Sequence, residues 1–323
     1  MQNELPEYPT SEEERVLTDD IAAEVEAKGF AIRENMSEGN YRAYPAWSQS
    51  QLKLFPDWPE LFYGYHIAHL WPFKRTNDME LGTQLHAVHL EKEELLIIPP
   101  DALSSNGQRR GKNWDAWKQE HPDNPGILEK DSIRIRAMCS SLESDSEIKK
   151  IIDADGLVEH SIFWIDPATG LRMKGRLDKM VIGNQRGVIF DLKSTSIDVT
   201  NKRLVDKHIF EMGYHKQQAM YVDAAKLAYG IPFSFLFGFV RSKPPYTARL
   251  WQLESKEDID LGRRHIDLAR KDLKSRLETG DWHGGGHNRI NFAQLPAYAY
   301  SDDPLDLSMP DPVQEYSEFN QFS

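Results

Sequence analysis

Three consecutive segments of strand-forming residues, joined by two short turns, constrain the fold of this chain more than any other feature. "LVEHSIFWI" leads through the turn "DPATG" into "LRMKGRLDKMVI", which leads through "GNQRG" into "VIFDLKST", all within residues 157–195. Branched and aromatic residues favour strands, and turns this short join antiparallel neighbours. The sequence therefore predicts an antiparallel meander of three strands in the middle of the chain.

The segments on either side of this meander predict helices and two further strands. "ELGTQLHAVHLEKEELL" precedes it, and "GYHKQQAMYVDAAKLAYG" and "SKEDIDLGRRHIDLARKDLKSRLETG" follow it, each with apolar residues at helical spacing. "FSFLFGFV" and "TARLWQL", between the last two, read as strands. The predicted fold class is α+β, with a mixed central sheet that contains the antiparallel meander and is flanked by helices.

Capping residues predict where several of these helices begin and end. Serine and threonine favour helix starts, and glycine favours helix ends. The predicted starts are Thr18, Ser48 or Ser50, and Ser255, and the predicted ends are Gly29, Gly230 and Gly280.

Composition predicts one large domain with two appendages. The chain has 323 residues, of which 40% are hydrophobic, enough for a sizeable core. We predict an N-terminal extension over residues 1–36, a catalytic domain over 37–295, and an acidic, mobile tail over 296–323 that is rich in Pro, Asp, Ser and Tyr. No apolar run is long enough to span a bilayer, and the N-terminus is polar and acidic, so we expect a cytoplasmic protein.

Charge and cysteine content exclude some classes of protein. A net charge of −12 argues against a surface coated in positive charge, but it allows an enzyme that gathers basic residues in one groove. The single cysteine, Cys139, excludes a disulfide framework and any zinc or iron–sulfur site built on four cysteines.

The second and third strands of the meander carry the residues that point to chemistry. Asp191 and Lys193 are two residues apart and therefore lie on one face of their strand, and Asp178 approaches them across the hairpin. Carboxylates from neighbouring strands suit Mg²⁺ or Mn²⁺, and a nearby lysine can position or deprotonate a water and balance phosphate charge. A charged surface hairpin with an Asp–Lys ion pair remains the alternative. The location of the pair at the end of a strongly apolar strand favours the metal site.

Six motifs, in order along residues 40–255, resemble a known family. They are "WSQSQLKLF", "LGTQLHAVHLE", "RRGKNWDAW", "EHSIFWIDPATGLRMKGRLDKM", "VIFDLKST" and "YHKQQAMY". Together they are similar to the PD-(D/E)xK nuclease superfamily and, within it, to the RecE-type exonucleases of phages and prophages, also called exodeoxyribonuclease VIII-like. The resemblance implies a PD-(D/E)xK core, which is also described as restriction-endonuclease-like.

The resemblance also implies a set of metal ligands. The matching residues are His86, Asp178, Asp191 and the backbone carbonyl of Leu192, with Lys193 as the lysine of the motif. The third motif position holds Asp where Glu is the other accepted residue, and Leu177 stands where the motif has proline. His89, three residues after His86, is expected either to pack in the interior or to support the ligands through hydrogen bonds.

Further residues are assigned to substrate binding and to support of the metal. Gln217 occupies the position of a helical glutamine of the family, and with Tyr214 it is expected to orient the substrate. Tyr221, on the same helical face, is equally consistent with packing. Glu159 matches an acidic position of the family and is expected to support the metal ligands through hydrogen bonds.

Two groups of polar residues are candidates for contact with DNA phosphates. Arg109, Arg110 and Lys112 precede a helix, where guanidinium groups and backbone N–H groups can bind a phosphate, although a solvated loop fits equally well. Ser48 and Ser50 are candidates for a terminal phosphate, with helix capping as the favoured role.

The function that the resemblance implies is a Mg²⁺-dependent exodeoxyribonuclease, with Mn²⁺ able to substitute. It would degrade one strand of linear double-stranded DNA in the 5′→3′ direction and leave 3′ overhangs for a single-strand annealing partner. Members of the family form ring-shaped homo-oligomers around DNA, and a phage-encoded enzyme would act in the cytoplasm of the bacterial host. Related nucleases with an iron–sulfur cluster are excluded by the single cysteine. A catalytically silent DNA-binding recombination-accessory protein on the same fold is the alternative.

Overall fold

The computed structural model describes residues 12–285 except 56, 73–75, 123 and 125, together with residues 287, 290 and 293. The chain divides into two compact units, Met1–Gly284 and Gly285–Ser323. The fold described below is that of the first unit, and the predicted tail over 296–323 lies outside the described residues. No helix in the described part is long and apolar enough to cross a membrane.

Helices make up about half of the described chain. They are α1 (Glu12–Lys28), α2 (Glu38–Ala43), α3 (Gln49–Leu52), α4 (Pro59–His66), α5 (Asn77–His89), α6 (Lys112–Glu120), α7 (Glu129–Ser144), α8 (Ser146–Asp153), α9 (Lys202–Glu211), α10 (Tyr214–Tyr229) and α11 (Lys256–Thr279). A short 3₁₀ turn covers Pro100–Ala102.

The strands of the described residues form one mixed sheet. They are β1 (Phe30–Arg33), β2 (Trp47–Ser48), β3 (Leu157–Ile165), β4 (Arg172–Ile182), β5 (Gly187–Thr195), β6 (Phe233–Arg241) and β7 (Ala248–Trp251). Their order across the sheet is β1-β3-β4-β5-β6-β7, and β2 pairs with β4. The pairs β5–β6 and β2–β4 are parallel, and the other pairs are antiparallel. The predicted α+β class and the three-stranded meander β3–β4–β5 are confirmed.

Helices cover both faces of this sheet because residues along each strand alternate between two hydrophobic cores. On β5, Ile189 belongs to the core that α10 and α11 complete, with residues such as Met220 and Ile266. The next residue, Phe190, belongs to the opposite core, together with Leu192, Leu85 of α5 and residues of α7 and α8. Asp191 and Lys193 therefore lie on the α10 side.

The N-terminal part of the described chain is joined to the sheet. β1 pairs with β3 over Phe30–Arg33, and Ile21, Val25 and Phe163 share a small core with it. β1 lies inside the stretch that sequence analysis assigns to an extension. The predicted cap at Thr18 is wrong, because α1 already begins at Glu12 and Thr18 lies in its interior. The acidic residues before Thr18 extend the helix upstream of the predicted cap.

Strands β4 and β5 separate at the two aspartates of the motif. Their ladder runs from Ile182 opposite Gly187 to Lys179 opposite Phe190, and Asp178 and Asp191 are the next opposing positions. Beyond this point β4 pairs instead with β2, through Met173 and Lys174. Asp178 Oδ2 accepts the N–H of Leu192 at 2.7 Å, so a side chain takes the place of a ladder carbonyl. The separation of the strands opens the sheet at these aspartates.

Candidate active site

A pocket of about 360 Å³ opens where β4 and β5 separate. Most of the residues that sequence analysis assigns to the site line this pocket. The lining residues are Gln49, Ser50, Lys53, His86, Glu159, Arg176, Asp178, Lys193, Met212, Tyr214, Gln217 and Tyr221. The volume lies in the range of sites that hold one small molecule or one unit of a polymer.

One histidine and two carboxylates form a compact cluster in this pocket. Each of His86, Glu159 and Asp178 offers one ligand atom, and these three atoms lie within 4.8 Å of one another. His86 Nδ1 is 3.5 Å from Asp178 Oδ2 and 3.6 Å from Glu159 Oε1. One imidazole nitrogen and two carboxylate oxygens at this spacing fit a small divalent cation such as Mg²⁺ or Mn²⁺, which completes its coordination with water.

The backbone of β5 fixes the orientation of the His86 ring. His86 Nε2 lies 2.8 Å from the carbonyl oxygen of Leu192, and a carbonyl only accepts, so Nε2 carries a proton and donates it. Nδ1 is then directed at Glu159 and Asp178. Histidines that bind metals ordinarily donate their second N–H to such an acceptor. This arrangement makes Leu192 the orienting partner of His86, and the predicted role of its carbonyl as a direct ligand stays a prediction.

The electrostatics of His86 reflect the two acids beside it. Burial of the ring would lower its pKa, but the charges of Asp178 and Glu159 outweigh burial and raise the pKa to about 9. In the absence of a cation the imidazolium therefore serves as the counter-ion of the cluster. A divalent cation would replace that proton with its own charge.

Asp191 and Lys193 form a second group directly beside this cluster. Lys193 Nζ lies 2.8 Å from Asp191 Oδ2, and Gln217 Nε2 donates to Asp191 Oδ1 at 2.7 Å. Both oxygens of Asp191 are thus engaged, and the residue is 1% exposed. Asp191 is not one of the three residues whose ligand atoms form the cluster, and its role as a metal ligand stays a prediction.

The environment of this second group favours a protonated lysine. Lys193 Nζ also lies 5.1 Å from the centre of the Tyr214 ring, whose face attracts cations. Burial would lower the pKa of Lys193, but Asp191 and Asp178 outweigh it and raise that pKa above its usual value. For Asp191, burial is the main cause that raises the pKa, to about 6; Asp178 adds to this effect and Lys193 opposes it. Lys193 is therefore suited to donate hydrogen bonds to an anion.

Glu159 reaches the cluster through an unusual backbone conformation. It lies inside β3 with a φ of 47°, in the left-handed region that glutamate rarely adopts. The register of β3 with β4 skips this residue while its neighbours Val158 and His160 pair normally. Arg176 Nε lies 3.3 Å from Glu159 Oε2. Glu159 thus joins His86 and Asp178 directly, a closer position than the supporting one predicted from sequence.

The three basic residues of the "RRGK" segment are absent from the pocket lining. Arg109 Nη1 pairs with Glu80 Oε2 at 2.7 Å, and its Nη2 donates to the carbonyl of Gly126 at 3.2 Å. Arg110 and Lys112 are exposed. Their proposed contact with DNA phosphates is not tested by this arrangement.

The two serines differ in their surroundings. The backbone N–H of Ser48 donates to Gln51 Oε1 at 2.9 Å at the start of α3, in agreement with the favoured capping role. Ser50 lines the pocket, and its hydroxyl lies 2.9 Å from that of Ser48.

Four residues that line the pocket were not predicted from the sequence: Gln49, Lys53, Arg176 and Met212. A signal existed for two of them. Lys53 follows Ser50 by three residues in a helical segment, and Arg176 precedes Asp178 by two residues in a strand. Met212 lies between α9 and α10, where no periodic pattern applies.

A comparison with protein families agrees with this geometry. The family described as "PDDEXK-like domain of unknown function", DUF3799, matches residues 48–283, which make up most of the chain and contain every residue of the pocket. The chain belongs to this family. The PDDEXK-like fold is that of a nuclease, a class that uses divalent metals and binds DNA.

The comparison with solved structures gives matches at low sequence identity, and the first of those described next shares the fold of this chain. A candidate exonuclease from Eubacterium rectale is 14% identical, with a TM-score of 0.56, over 84% of this chain and 99% of that one. SSO0001 is 15% identical over 61% of this chain and 88% of its own, with a TM-score of 0.25. VC1899 from Vibrio cholerae is 13% identical over 81% and 62%, with a TM-score of 0.24. No curated protein matches the chain.

Proposed function

We propose that this PDDEXK-like protein is a metal-dependent exodeoxyribonuclease that hydrolyses phosphodiester bonds of one strand of linear double-stranded DNA. The observation that supports it most directly is the cluster of His86, Glu159 and Asp178, whose ligand atoms lie within 4.8 Å of one another beside a protonated Lys193. Mg²⁺ is the proposed cofactor, and Mn²⁺ should replace it because both accept carboxylate and imidazole ligands.

Each residue of the pocket has a distinct role in the proposed hydrolysis. His86, Glu159 and Asp178 would hold a divalent cation, which would supply an activated water and neutralise charge on the phosphate. Lys193 donates a hydrogen bond to a phosphate oxygen, since its raised pKa keeps it protonated. Asp191 holds the lysine, and the predicted coordination by Asp191 and the Leu192 carbonyl would require their present hydrogen bonds to rearrange.

Two contacts from α10 hold Asp191 and Lys193 in place. Gln217 donates to Asp191, and the ring of Tyr214 lies beneath the ammonium of Lys193. These contacts fix Asp191 and Lys193 before substrate arrives, which reduces the reorganisation that catalysis requires. Gln217 therefore positions the acid and the lysine rather than contacting the reacting atoms.

The finer features of the proposal rest on the resemblance to RecE-type exonucleases. They are 5′→3′ polarity, 3′ overhangs for a single-strand annealing protein, a ring-shaped homo-oligomer, and action in the bacterial cytoplasm as part of phage-type recombination. The Eubacterium rectale protein, described as a candidate exonuclease, agrees with exonucleolytic activity but does not bear on polarity. The catalytically silent accessory protein is disfavoured by a pocket that is lined by Glu159, Asp178 and Lys193.

The deciding experiment measures digestion of end-labelled linear duplex DNA in Mg²⁺ and in EDTA. Wild type should digest the DNA in Mg²⁺ alone, whereas Asp191→Ala and Lys193→Ala should lose at least about a hundredfold in rate, because removing one electrostatic group costs that much. Lys149→Ala, at an exposed lysine, is the control. Equal digestion by wild type and both site variants, or digestion in EDTA, would contradict the assignment.

Polarity and end dependence need their own substrates. Separate 5′ and 3′ labels should show early release of the 5′ label, and closed circular duplex should resist digestion. Early release of 3′ mononucleotides would contradict the proposed direction, and digestion of the circle would indicate an endonuclease.

A further inference from the structure

Lys53 lies on the side of the pocket that α3 forms, and α3 is hydrogen-bonded to the start of α10. It follows directly after α3, which also contributes Gln49 and Ser50 to the lining. Gln49 Nε2 donates to the carbonyl of Gly213 at 3.2 Å, immediately before α10 begins. The hydrogen bond ties the α3 wall to the start of the helix that carries Tyr214 and Gln217. Lys53 is therefore held at a set place relative to Lys193.

Within the described residues, the Lys53 ammonium has no ion-pair or hydrogen-bond partner. Its basic neighbours differ in this respect, because Lys193 pairs with Asp191 at 2.8 Å and Lys216 Nζ donates to the Phe55 carbonyl at 3.3 Å. Burial lowers the pKa of Lys53, and the positive charge of Lys193 lowers it further. Lys53 and Lys193 thus face the same pocket, and an anion between these two lysines would relieve their repulsion.

The surroundings of Lys53 also indicate which anion belongs there. The charges of Asp178 and Glu159 act on His86, whereas the charged neighbour that acts on Lys53 is Lys193. If the phosphate to be cut binds at the acid cluster, the Lys53 ammonium can therefore bind a different phosphate of the same DNA strand. DNA carries phosphates at regular intervals, and a lysine ammonium binds a phosphate oxygen as a point charge.

We propose that Lys53 binds a backbone phosphate adjacent to the one that is cut, and so positions the substrate strand across the pocket. This inference rests on the proposed function in taking DNA as the substrate. Lys53 is a positioning residue in this account, since Lys193 and the acid cluster contact the reacting group. A neutral group at that one phosphate should therefore have the same effect as removing the lysine.

The test compares full-length wild type with Lys53→Met, Lys53→Arg and Lys216→Met. Lys216→Met is the matched control, because it removes one charge from a lysine that does not line the pocket. Binding to a fluorescein-labelled linear duplex is measured by anisotropy in Ca²⁺, over a range of salt concentrations. Digestion in Mg²⁺ is measured separately under single-turnover conditions. A second series of duplexes carries one neutral methylphosphonate at successive positions from the end.

Lys53→Met should weaken binding about tenfold and reduce the slope of log affinity against log salt by about 0.9, the value for one lost phosphate contact. Lys53→Arg should retain most of the affinity, and Lys216→Met should bind like wild type. At one position, methylphosphonate should weaken binding of wild type but have no further effect on Lys53→Met. The inference is overturned if Lys53→Met and Lys216→Met are alike, or if every methylphosphonate affects wild type and Lys53→Met equally.

These measurements separate the inference from the proposed function. If wild type shows the expected binding pattern but cuts no DNA, the phosphate contact stands and the nuclease proposal fails. If wild type digests linear DNA while Lys53→Met matches Lys216→Met in binding and in rate, the nuclease proposal stands and the role of Lys53 is refuted.

Discussion

Glu159 combines a strained backbone with a position at the centre of the acid cluster. Its φ of 47° departs from the extended conformation of the rest of β3, and such departures cost roughly 1–3 kcal/mol. Such a strained backbone conformation is retained where it places a side chain at a position that an unstrained backbone would not allow. At Glu159 that place is within ligand distance of His86 and Asp178.

The first prediction follows from this position. Glu159→Gln should weaken Mn²⁺ binding about 10- to 100-fold, because it removes a carboxylate charge from the cluster, and it should reduce the increase in melting temperature that Mn²⁺ produces. Isothermal titration calorimetry and thermal unfolding measure these effects without DNA. Glu93→Gln, at an exposed position, controls for the change in net charge. Equal Mn²⁺ affinity in Glu159→Gln and Glu93→Gln would show that Glu159 is no ligand.

The second prediction concerns Gln217 and the pH dependence of the proposed activity. Burial raises the pKa of Asp191 to about 6, so its charged form, which holds Lys193, is lost as pH falls through that value. Gln217→Leu removes a donor to this carboxylate and should raise its pKa further. The acidic limb of the rate–pH profile should therefore move to higher pH, with a rate near pH 7 at least about tenfold lower.

Gln218→Leu is the matched control for Gln217→Leu. Gln218 is equally buried and adjacent in sequence, but it does not line the pocket. Its rate–pH profile should follow that of wild type. A similar shift in both variants would indicate a general disturbance of α10 and would contradict the specific role of Gln217.

Sequence alone predicted the approach of Asp178, Asp191 and Lys193, because strand alternation and a short hairpin determine it. The contacts of Asp191 with both Lys193 and Gln217 could not be predicted from the sequence, because they depend on how α10 packs against β5. His86 came from the family resemblance, because one helical histidine carries no signal of its own. The close approach of Glu159 depends on a left-handed residue inside a strand, which alternation does not predict.

At the scale of elements, a buried ion pair joins the β3–β4 turn to α11. Asp166 accepts hydrogen bonds from the backbone and hydroxyl of Thr169 at 3.0 and 2.6 Å, and Arg270 Nη1 lies 2.8 Å from its other oxygen. The side chains of Asp166 and Arg270 are 3% and 12% exposed. Removing Asp166 leaves the buried Arg270 with only the exposed Asp267 as an ion-pair partner among the described residues.

The third prediction is that Asp166→Ala lowers the free energy of unfolding by about 3–5 kcal/mol, the usual cost of breaking a buried pair. Asp153→Ala breaks the exposed pair with Lys149 and should change it by less than about 1 kcal/mol. Urea unfolding measures both. Similar losses in the two variants would show that burial does not distinguish these pairs.

The packing of α10 against α11 depends on a glycine at their contact. A Cβ at Gly262 would lie 2.3 Å from the backbone oxygen of His215, which is too close for any side chain without a shift of the helices. The fourth prediction is that Gly262→Ala costs about 1–3 kcal/mol in the free energy of unfolding. Gly39→Ala, at an open position of α2, should be neutral or stabilising, because alanine favours helices. Equal stability of the two variants in urea would contradict close packing at Gly262.

Element boundaries were predictable where capping residues mark them. Ser255 begins α11, and Gly280 and Gly230 end α11 and α10 in left-handed conformations, as predicted. β2 was not predicted, because a strand of two residues is too short to show an alternation of apolar and polar residues. Its parallel pairing with β4 also depends on distant chain segments. The parallel pairing of β5 with β6 likewise depends on the path of α9 and α10 between them.

At the scale of the whole molecule, the two ends of the chain should contribute differently to the free energy of unfolding. Deleting residues 1–36 removes β1, which pairs with β3, and α1, which shares a hydrophobic core with Phe163, so the free energy of unfolding should fall by several kcal/mol. Deleting residues 300–323 removes none of the described contacts and should leave it unchanged. This fifth prediction is measured by urea unfolding of both truncations. A stable protein without residues 1–36 would support the predicted extension as a separate appendage.

Charge over the whole molecule bears on the proposed ring. A net charge of −12 repels DNA at long range, so binding requires the local field of basic residues such as Lys53 and Lys193. A ring would enclose DNA among such residues contributed by several subunits. Sedimentation should therefore give an oligomer at assay concentrations, and a monomer would count against the ring.

The residues of the pocket come from segments that lie far apart along the chain, from α3 to α10. Contacts of this kind form only after long loops have closed. A ribosome must therefore release β5 and α10 before Asp191, Lys193 and Gln217 can join His86. Nascent or prematurely terminated chains that end before β5 lack Lys193 altogether, so the proposed nuclease activity can appear only once synthesis has passed that point.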